Sequence, residues 1–340
     1  MEYLIMTIKA VVVFAVVAGS MPFIVWAERK VMADAQARIG PNRVGPYGIL
    51  QSFADALKLM FKEDVTPRQV DKPIYFLAPV LAMIPALTAF AVVPYGSPEV
   101  TVYGVPIFYV TDPKQVGVLW VFAVTTLSVY GVVLAGWASN NKWSLLGALR
   151  SAAQMISYEV ALGLAILGVV LGSGSLSLID IVEKQAVPRA FGIPGIWLFA
   201  QPVAFLLFFT ASLAETNRTP FDLPEAESEL VAGFHTEYSS FKFAMFFMAE
   251  YINVLTVSAV VATLFLGGWL GPGVGQFPLL GVVYFALKTA ALIYLIMWLR
   301  ATLPRFRYDQ LMRFAWKVLL PLGLANVFIT ALWVGLRGGT

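Results

Sequence analysis

The feature that most constrains this chain is a series of apolar runs, each about twenty residues long, the length a helix needs to cross about 30 Å of hydrocarbon. Eight occur, near residues 3 to 27, 74 to 94, 116 to 138, 153 to 172, 196 to 214, 241 to 266, 278 to 299 and 315 to 336. Lipid offers backbone N–H and C=O groups no partners, so each run is expected to satisfy them internally as a helix. Only 13% of the residues are charged, against about 25% in soluble domains. The expected fold is an all-α polytopic membrane protein with eight transmembrane helices, forming a single membrane domain over residues 1 to 340. The first run lacks a basic leader and is followed directly by Glu28, Arg29 and Lys30. It reads as a retained helix and not as a cleaved signal peptide.

Eight crossings put both termini on one side, and the distribution of Lys and Arg orients them. The loops near 29 to 73, 139 to 152, 215 to 242 and 300 to 317 hold seventeen, and the opposite set holds five. Positive loops stay in the cytoplasm, so both termini are expected on the periplasmic side. The formal charge of +3 is accounted for by topology and gives no reason to expect nucleic acid. There is no cysteine and one histidine, His235. That composition excludes thiolate-held iron–sulfur centres, a bis-histidine haem and a His-rich zinc site. No metal or redox cofactor is expected on this chain.

Within the long loop 29 to 73, residues 49 to 62 have helical periodicity. Ile49, Leu50, Phe53, Ala54, Leu57, Met60 and Phe61 share one face, opposite Gln51, Ser52, Asp55, Lys58 and Lys62. An amphipathic cytoplasmic helix lying on the membrane is expected, as an anchor or as a lip over an opening from the bilayer.

Ionisable groups inside spans cost about 2.5 to 3.5 kcal/mol each on insertion scales and mark cavities or partners. Glu159, Glu250 and Lys288 are such groups. At about 1.5 Å per residue, Glu250 and Lys288 lie at similar depths, so a packing ion pair between them competes with a functional role. The loop 215 to 240 is acidic. Residues 214 to 238 carry Glu215, Asp222, Glu225, Glu227, Glu229 and Glu237 against Arg218. Asp222 and Glu225 have capping-box spacing, which leaves Glu227 and Glu229 unexplained. Crowded carboxylates in a poorly hydrated space raise one another's pKa toward neutrality, which points to proton exchange.

Four ordered blocks carry a family resemblance: AERKVMADAQARIGPNRVGPYGILQSFADALKL at 27 to 59, GWASNNKWSLLGALRSAAQMISYE at 136 to 159, ETNRTPFDLPEAESELVAGFHTEYSSFKFAMFFMAEY at 215 to 251, and LRATLPRFRYDQLM at 299 to 312. Over essentially its whole length the chain resembles the H-subunit family of bacterial NADH:quinone oxidoreductase, respiratory complex I, the counterpart of mitochondrial NADH dehydrogenase subunit 1. The resemblance implies a subunit, not catalytic alone, that forms much of a quinone chamber and links quinone reduction to proton translocation. Quinone is then the substrate, and FMN and iron–sulfur clusters belong to partner subunits. Those partners comprise a soluble redox arm on the cytoplasmic face and further membrane subunits alongside, in a bacterial inner membrane.

By the same resemblance, Glu28, Arg29, Arg38, Arg43, Asp55, Lys58 and Phe221 belong to the chamber. Glu159, Glu215, Glu225, Glu227, Glu229 and Glu250 match a proton path, with Arg218, Asp222, Lys288 and Arg300 as accessories. The membrane subunit of an energy-converting hydrogenase, or of another complex with a donor other than NADH, is the alternative. A self-contained transporter would require repeated halves with interrupted helices, and no internal repeat is visible in the sequence. A pure scaffold leaves the intramembrane charges unexplained.

Overall fold

The structure, a computed structural model, describes residues 2–111, 116–187, 195–222 and 231–338. In chain order the helices are α1 (Glu2–Ala35), α2 (Gln51–Phe61), α3 (Lys72–Ala89), α4 (Gly117–Ala138), α5 (Lys142–Ser173), α6 (Leu178–Ala186), α7 (Trp197–Ala200) and α8 (Pro202–Glu215). They continue with α9 (Ser240–Phe265), α10 (Leu279–Thr302), α11 (Tyr308–Phe314) and α12 (Leu320–Gly338), the last two joined through a π-helical turn at Ala315–Leu319. The strands among the described residues are a two-residue antiparallel pair, Thr101–Val102 with Val105–Pro106.

Seven helices are long and apolar enough to cross a membrane: α1, α3, α4, α5, α9, α10 and the continuous α11–α12 rod. The run at 196 to 214 differs from the expected single span. It breaks at Gln201, whose φ of −138° and ψ of 62° are non-helical, and resumes at Pro202. Proline supplies no N–H to the preceding turn and disfavours helical geometry in the residue before it. The α8 segment of 14 residues is about 21 Å long, short of the roughly 30 Å of a hydrocarbon core.

Small residues set how closely the helices approach, as expected where lipid provides no hydrophobic drive between them. Ala78, Ala82, Ala86 and Ala89 are buried along α3, and α4 lies against that stripe. A Cβ on Gly131 of α4 would sit 2.7 Å from the Ala82 nitrogen, so the two backbones touch at a point that only glycine permits. The long helix α5 packs against α4, α8 and α12. Its start is capped by Asn141, whose side chain accepts from the Trp143 N–H, and it ends at left-handed Gly174. Burial falls outward: 56% of the apolar window of α9 is buried, against 17% in α1 and α11–α12.

The amphipathic helix expected at 49 to 62 forms as α2. It docks on the end of α1 through an edge contact of Phe23 with Phe53 at 5.6 Å and through Trp26 Nε1 donating to the Tyr47 carbonyl at 3.1 Å. Leu57, Met60 and Phe61 face outward, the arrangement of an interfacial helix.

Candidate functional site

Three helices and one turn converge on a buried group of charges. After α8 the chain turns back over Thr216–Asp222, and Gln154 of α5 holds this turn by donating to the carbonyls of Ala214 and Phe221, each at 2.8 Å. The turn delivers Arg218 to the interior. Its Nη1 lies 3.4 Å from Glu28 Oε1 of α1, and its Nε lies 3.3 Å from Glu250 Oε1 of α9. The guanidinium also stacks over the Tyr251 ring at 4.3 Å. Arg300, in the last turn of α10, donates to the same Glu28 oxygen. Glu28 is 6% exposed and Arg218 4%. Two carboxylates and two guanidiniums balance, as a low-dielectric interior requires.

Beside this centre, between α1 and α10, lies a cavity of about 750 Å³. Its walls on α1 run from Val12 to Val31 and on α10 from Val282 to Met297, with Phe90 and Leu255 behind. Val12 and Val31 are 19 positions apart on α1, which corresponds to about 29 Å. The lining is almost wholly apolar. Trp26 and Ala27 in that wall flank Glu28, and Met297 lies one turn from Arg300. A slot of this length and lining suits an elongated apolar molecule.

On the far side of Glu250 the polarity continues. A cavity of about 50 Å³ is lined by Glu250, Asn253, His235, Ser128 and Glu215 among others. A second, of about 30 Å³, is lined by Glu215, Thr125, Asn253 and Thr256. A water needs about 10 to 15 Å³ by the same kind of measure, with polar partners, so both spaces suit water. Glu215 lies within hydrogen-bonding reach of Thr125 and within electrostatic reach of Glu159. Glu159 in turn accepts from Thr126. Glu28, Arg218, Glu250, Glu215 and Glu159 therefore form one row through the bundle.

Other residues singled out in the sequence are placed elsewhere. The Glu250–Lys288 pair inferred from matching depth does not form; Lys288 Nζ donates to the carbonyls of Gly268 at 3.0 Å and Leu270 at 2.7 Å. Depth along a helix says nothing about azimuth, and the two side chains point to different neighbours. Arg29 faces outward to Asp55 at 2.5 Å, and Gln51 donates to the other Asp55 oxygen at 3.1 Å. Burial pushes the Asp55 carboxyl up, but the Arg29 and Gln51 hydrogen bonds and the charges of Arg29 and Lys58 outweigh it, leaving the group below its ordinary value. Arg43 and Lys58 are exposed, as is Arg38, which donates to Gln36 at 2.6 Å. Phe221 is buried among Tyr158, Phe306 and Phe314 and not on the large cavity. Asp222 meets Arg305 at 3.1 Å. Glu225, Glu227 and Glu229 lie outside the described residues, and with them half of the Asp222–Glu225 capping box.

Asn253, Thr125, Thr126 and His235 also line or hold the row, although charge within spans gives no sign of them. Helical spacing signals one of them: Asn253 is three residues beyond Glu250 and shares its face.

Long apolar helices around a balanced buried charge group, an apolar slot and a row of carboxylates define a multi-pass α-helical membrane protein with an internal ionisable site. The model of the family described as NADH dehydrogenase matches residues 8–331, and the chain belongs to that family. It is 53% identical to the first of two H-type subunits of NADH-quinone oxidoreductase in Geobacter sulfurreducens, over 98% of this chain and 96% of that protein. It is 49% identical to the second such subunit of Koribacter versatilis, over 98% of both. The H-type subunit of Thermomicrobium roseum is 50% identical, over 94% of this chain and 93% of that protein.

Proposed function

We propose that this chain is the H-type membrane subunit of a proton-translocating NADH:quinone oxidoreductase. It encloses the quinone's apolar tail in the slot between α1 and α10 and passes the electrostatic consequence of quinone reduction along Glu28, Arg218, Glu250, Glu215 and Glu159. The observation that carries this reading is that the slot's walls include Ala27 and Met297, which respectively adjoin Glu28 and stand one turn from Arg300 along their helices. A quinone head brought to that point needs two protons when reduced, and transient negative charge there alters the proton affinity of carboxylates within reach. Lined up through small polar cavities, those carboxylates relay the change laterally. Family membership and near full-length similarity to quinone-enzyme subunits favour this reading over a hydrogenase-type complex.

The same reading includes eight crossings, with α7 and α8 together as the fifth, termini on the periplasmic side and residence in the inner membrane. It also includes partner subunits that carry FMN and iron–sulfur clusters, with a soluble arm over the α2 face. Glu225, Glu227 and Glu229 extend the carboxylate row in this proposal, and Arg29, Arg38, Arg43, Asp55 and Lys58 form the outer rim, with Phe221 bracing the adjoining turn. The test is Glu215→Gln in the assembled enzyme, in a membrane where quinone reduction and proton translocation are both measured. Loss of most of the translocation is expected, together with slowed reduction; both rates unchanged would refute the relay.

A further inference from the structure

Arg218 is shared between two helices far apart in the chain, and a shared charge is not held in place by the charges that share it. Its Nη1 lies 3.4 Å from Glu28 Oε1 and its Nε lies 3.3 Å from Glu250 Oε1. The two distances are nearly equal, and both exceed the about 2.7 to 2.9 Å of a close charge-assisted hydrogen bond. Coulomb attraction steepens as charges approach, so a cation midway between two carboxylates lowers its energy by closing on either one. The balance is already tilted here, because Arg300 donates to the same Glu28 oxygen and leaves Glu250 the stronger pull. Something besides the carboxylates therefore keeps the guanidinium between them.

The ring of Tyr251 is placed to do so. Tyr251 follows Glu250 on α9 and is buried, and the guanidinium carbon of Arg218 lies 4.3 Å from its ring centroid. The negative face of an aromatic ring attracts a cation within about 6 Å, and more strongly where water is excluded. The ring itself is fixed from behind. Phe243, Phe247 and Tyr251 recur at four-residue intervals, which puts them on one face of α9. Neighbouring rings in this row stand 5.5 Å apart, at interplanar angles of 33° and 42°, so the Tyr251 ring is braced against turning edge-on to the cation. The ring face then sets the plane of the guanidinium, while the two carboxylates engage its edges.

We propose that Tyr251 is a positioning residue: its ring face holds Arg218 between Glu28 and Glu250, and so keeps the carboxylate on α1 electrically joined to those beyond α9. The role rests on the relay proposed above. Without the ring face, Arg218 closes on Glu250 and Glu28 is left to Arg300, which cuts the row at its first step.

The experiment uses the assembled complex in sealed vesicles, with quinone reduction and proton translocation measured together and expressed as protons moved per quinone reduced. Tyr251→Phe is compared with phenylalanines at the same position that bear one, two or three ring fluorines, which keep nearly the same size while weakening the negative face step by step. Tyr251→Phe is expected to match wild type, and the ratio to fall with each fluorine, by about two-fold or more at the third. Tyr251→Leu is expected to fall at least as far; if it does not assemble, the fluorinated series decides alone. A ratio that stays flat across the series, or Tyr251→Phe as impaired as the trifluorinated ring, would overturn the role. Glu215→Gln is measured beside them. Impaired coupling in Glu215→Gln with a flat series refutes the Tyr251 role alone, whereas unchanged rates in Glu215→Gln refute the relay and this role with it.

Discussion

Glu28 and Arg29 are adjacent on α1 and take part in two ion pairs of opposite character. Glu28 turns inward to Arg218 and Arg300, with 8% of its side chain exposed; Arg29 turns outward to Asp55, with 45% and 29% of the two side chains exposed. A rotation of about 100° per residue separates a charge sealed in the bundle from one that remains wet. The same Coulomb attraction therefore does different work. Outside, water screens it and the pair joins α2 to α1 weakly. Inside, each partner depends on the others because removing one leaves an uncompensated charge.

Breaking the inner group tests this contrast most severely. Arg218→Met leaves Glu28 and Glu250 facing each other with one cation fewer, and a loss of about 3 to 5 kcal/mol is expected. The readout is a fall in the temperature at which the assembled complex loses quinone reduction; wild-type thermal stability would break the comparison. Arg300→Met removes a partner that is 27% exposed, and a smaller loss of about 1.5 to 3 kcal/mol is expected for one charged hydrogen bond, read by the same assay. Asp55→Asn removes the outer pair. A change of about 0.2 to 1 kcal/mol is expected, seen as easier proteolysis within 36–50 at unchanged global stability.

The smallest effect concerns pH. Because the folded Asp55 carboxyl is held below its ordinary value, its contribution is fully present above that ordinary value. It is lost as the medium acidifies through the lower, folded value. Fluorescence of Trp26, which donates to Tyr47 at the α1–α2 contact, should stay flat from about pH 8 to 5 and change only near pH 4 and below, since an unperturbed Asp titrates at about 3.9. A transition near neutrality would assign the contact to another group.

The sequence discloses the helices well and their mutual azimuths poorly. Apolar runs mark seven spans because lipid enforces internal hydrogen bonding along each one. The run at 196 to 214 looks just as uniform, since hydropathy does not register that Gln201 and Pro202 interrupt the backbone ladder. The amphipathic α2 follows from its periodicity, and Asp55 emerges on the expected polar face. For the site, Glu250, Glu215 and Glu159 are legible as charges in apolar surroundings. Arg218 reads from the sequence as an accessory, yet it joins α1 to α9, because which helices meet is decided by packing over long separations. Gln154 and Asn253 stay hidden for a related reason: neutral amides cost little on insertion scales and become visible only when their partners are known.

The turn held by Gln154 also bears on how the chain assembles. Arg218 meets Glu28 from nearly two hundred residues earlier and Glu250 from about thirty residues later, and Arg300 arrives later still. Glu28 therefore has its full set of partners only once Arg300 has been made. A bundle in which α10 seats in the wrong place leaves two buried carboxylates sharing the single cation Arg218, whereas correct seating supplies Arg300 and balances them. The charge group thus acts as a checkpoint on helix order, favouring the completed arrangement over incomplete or shuffled ones.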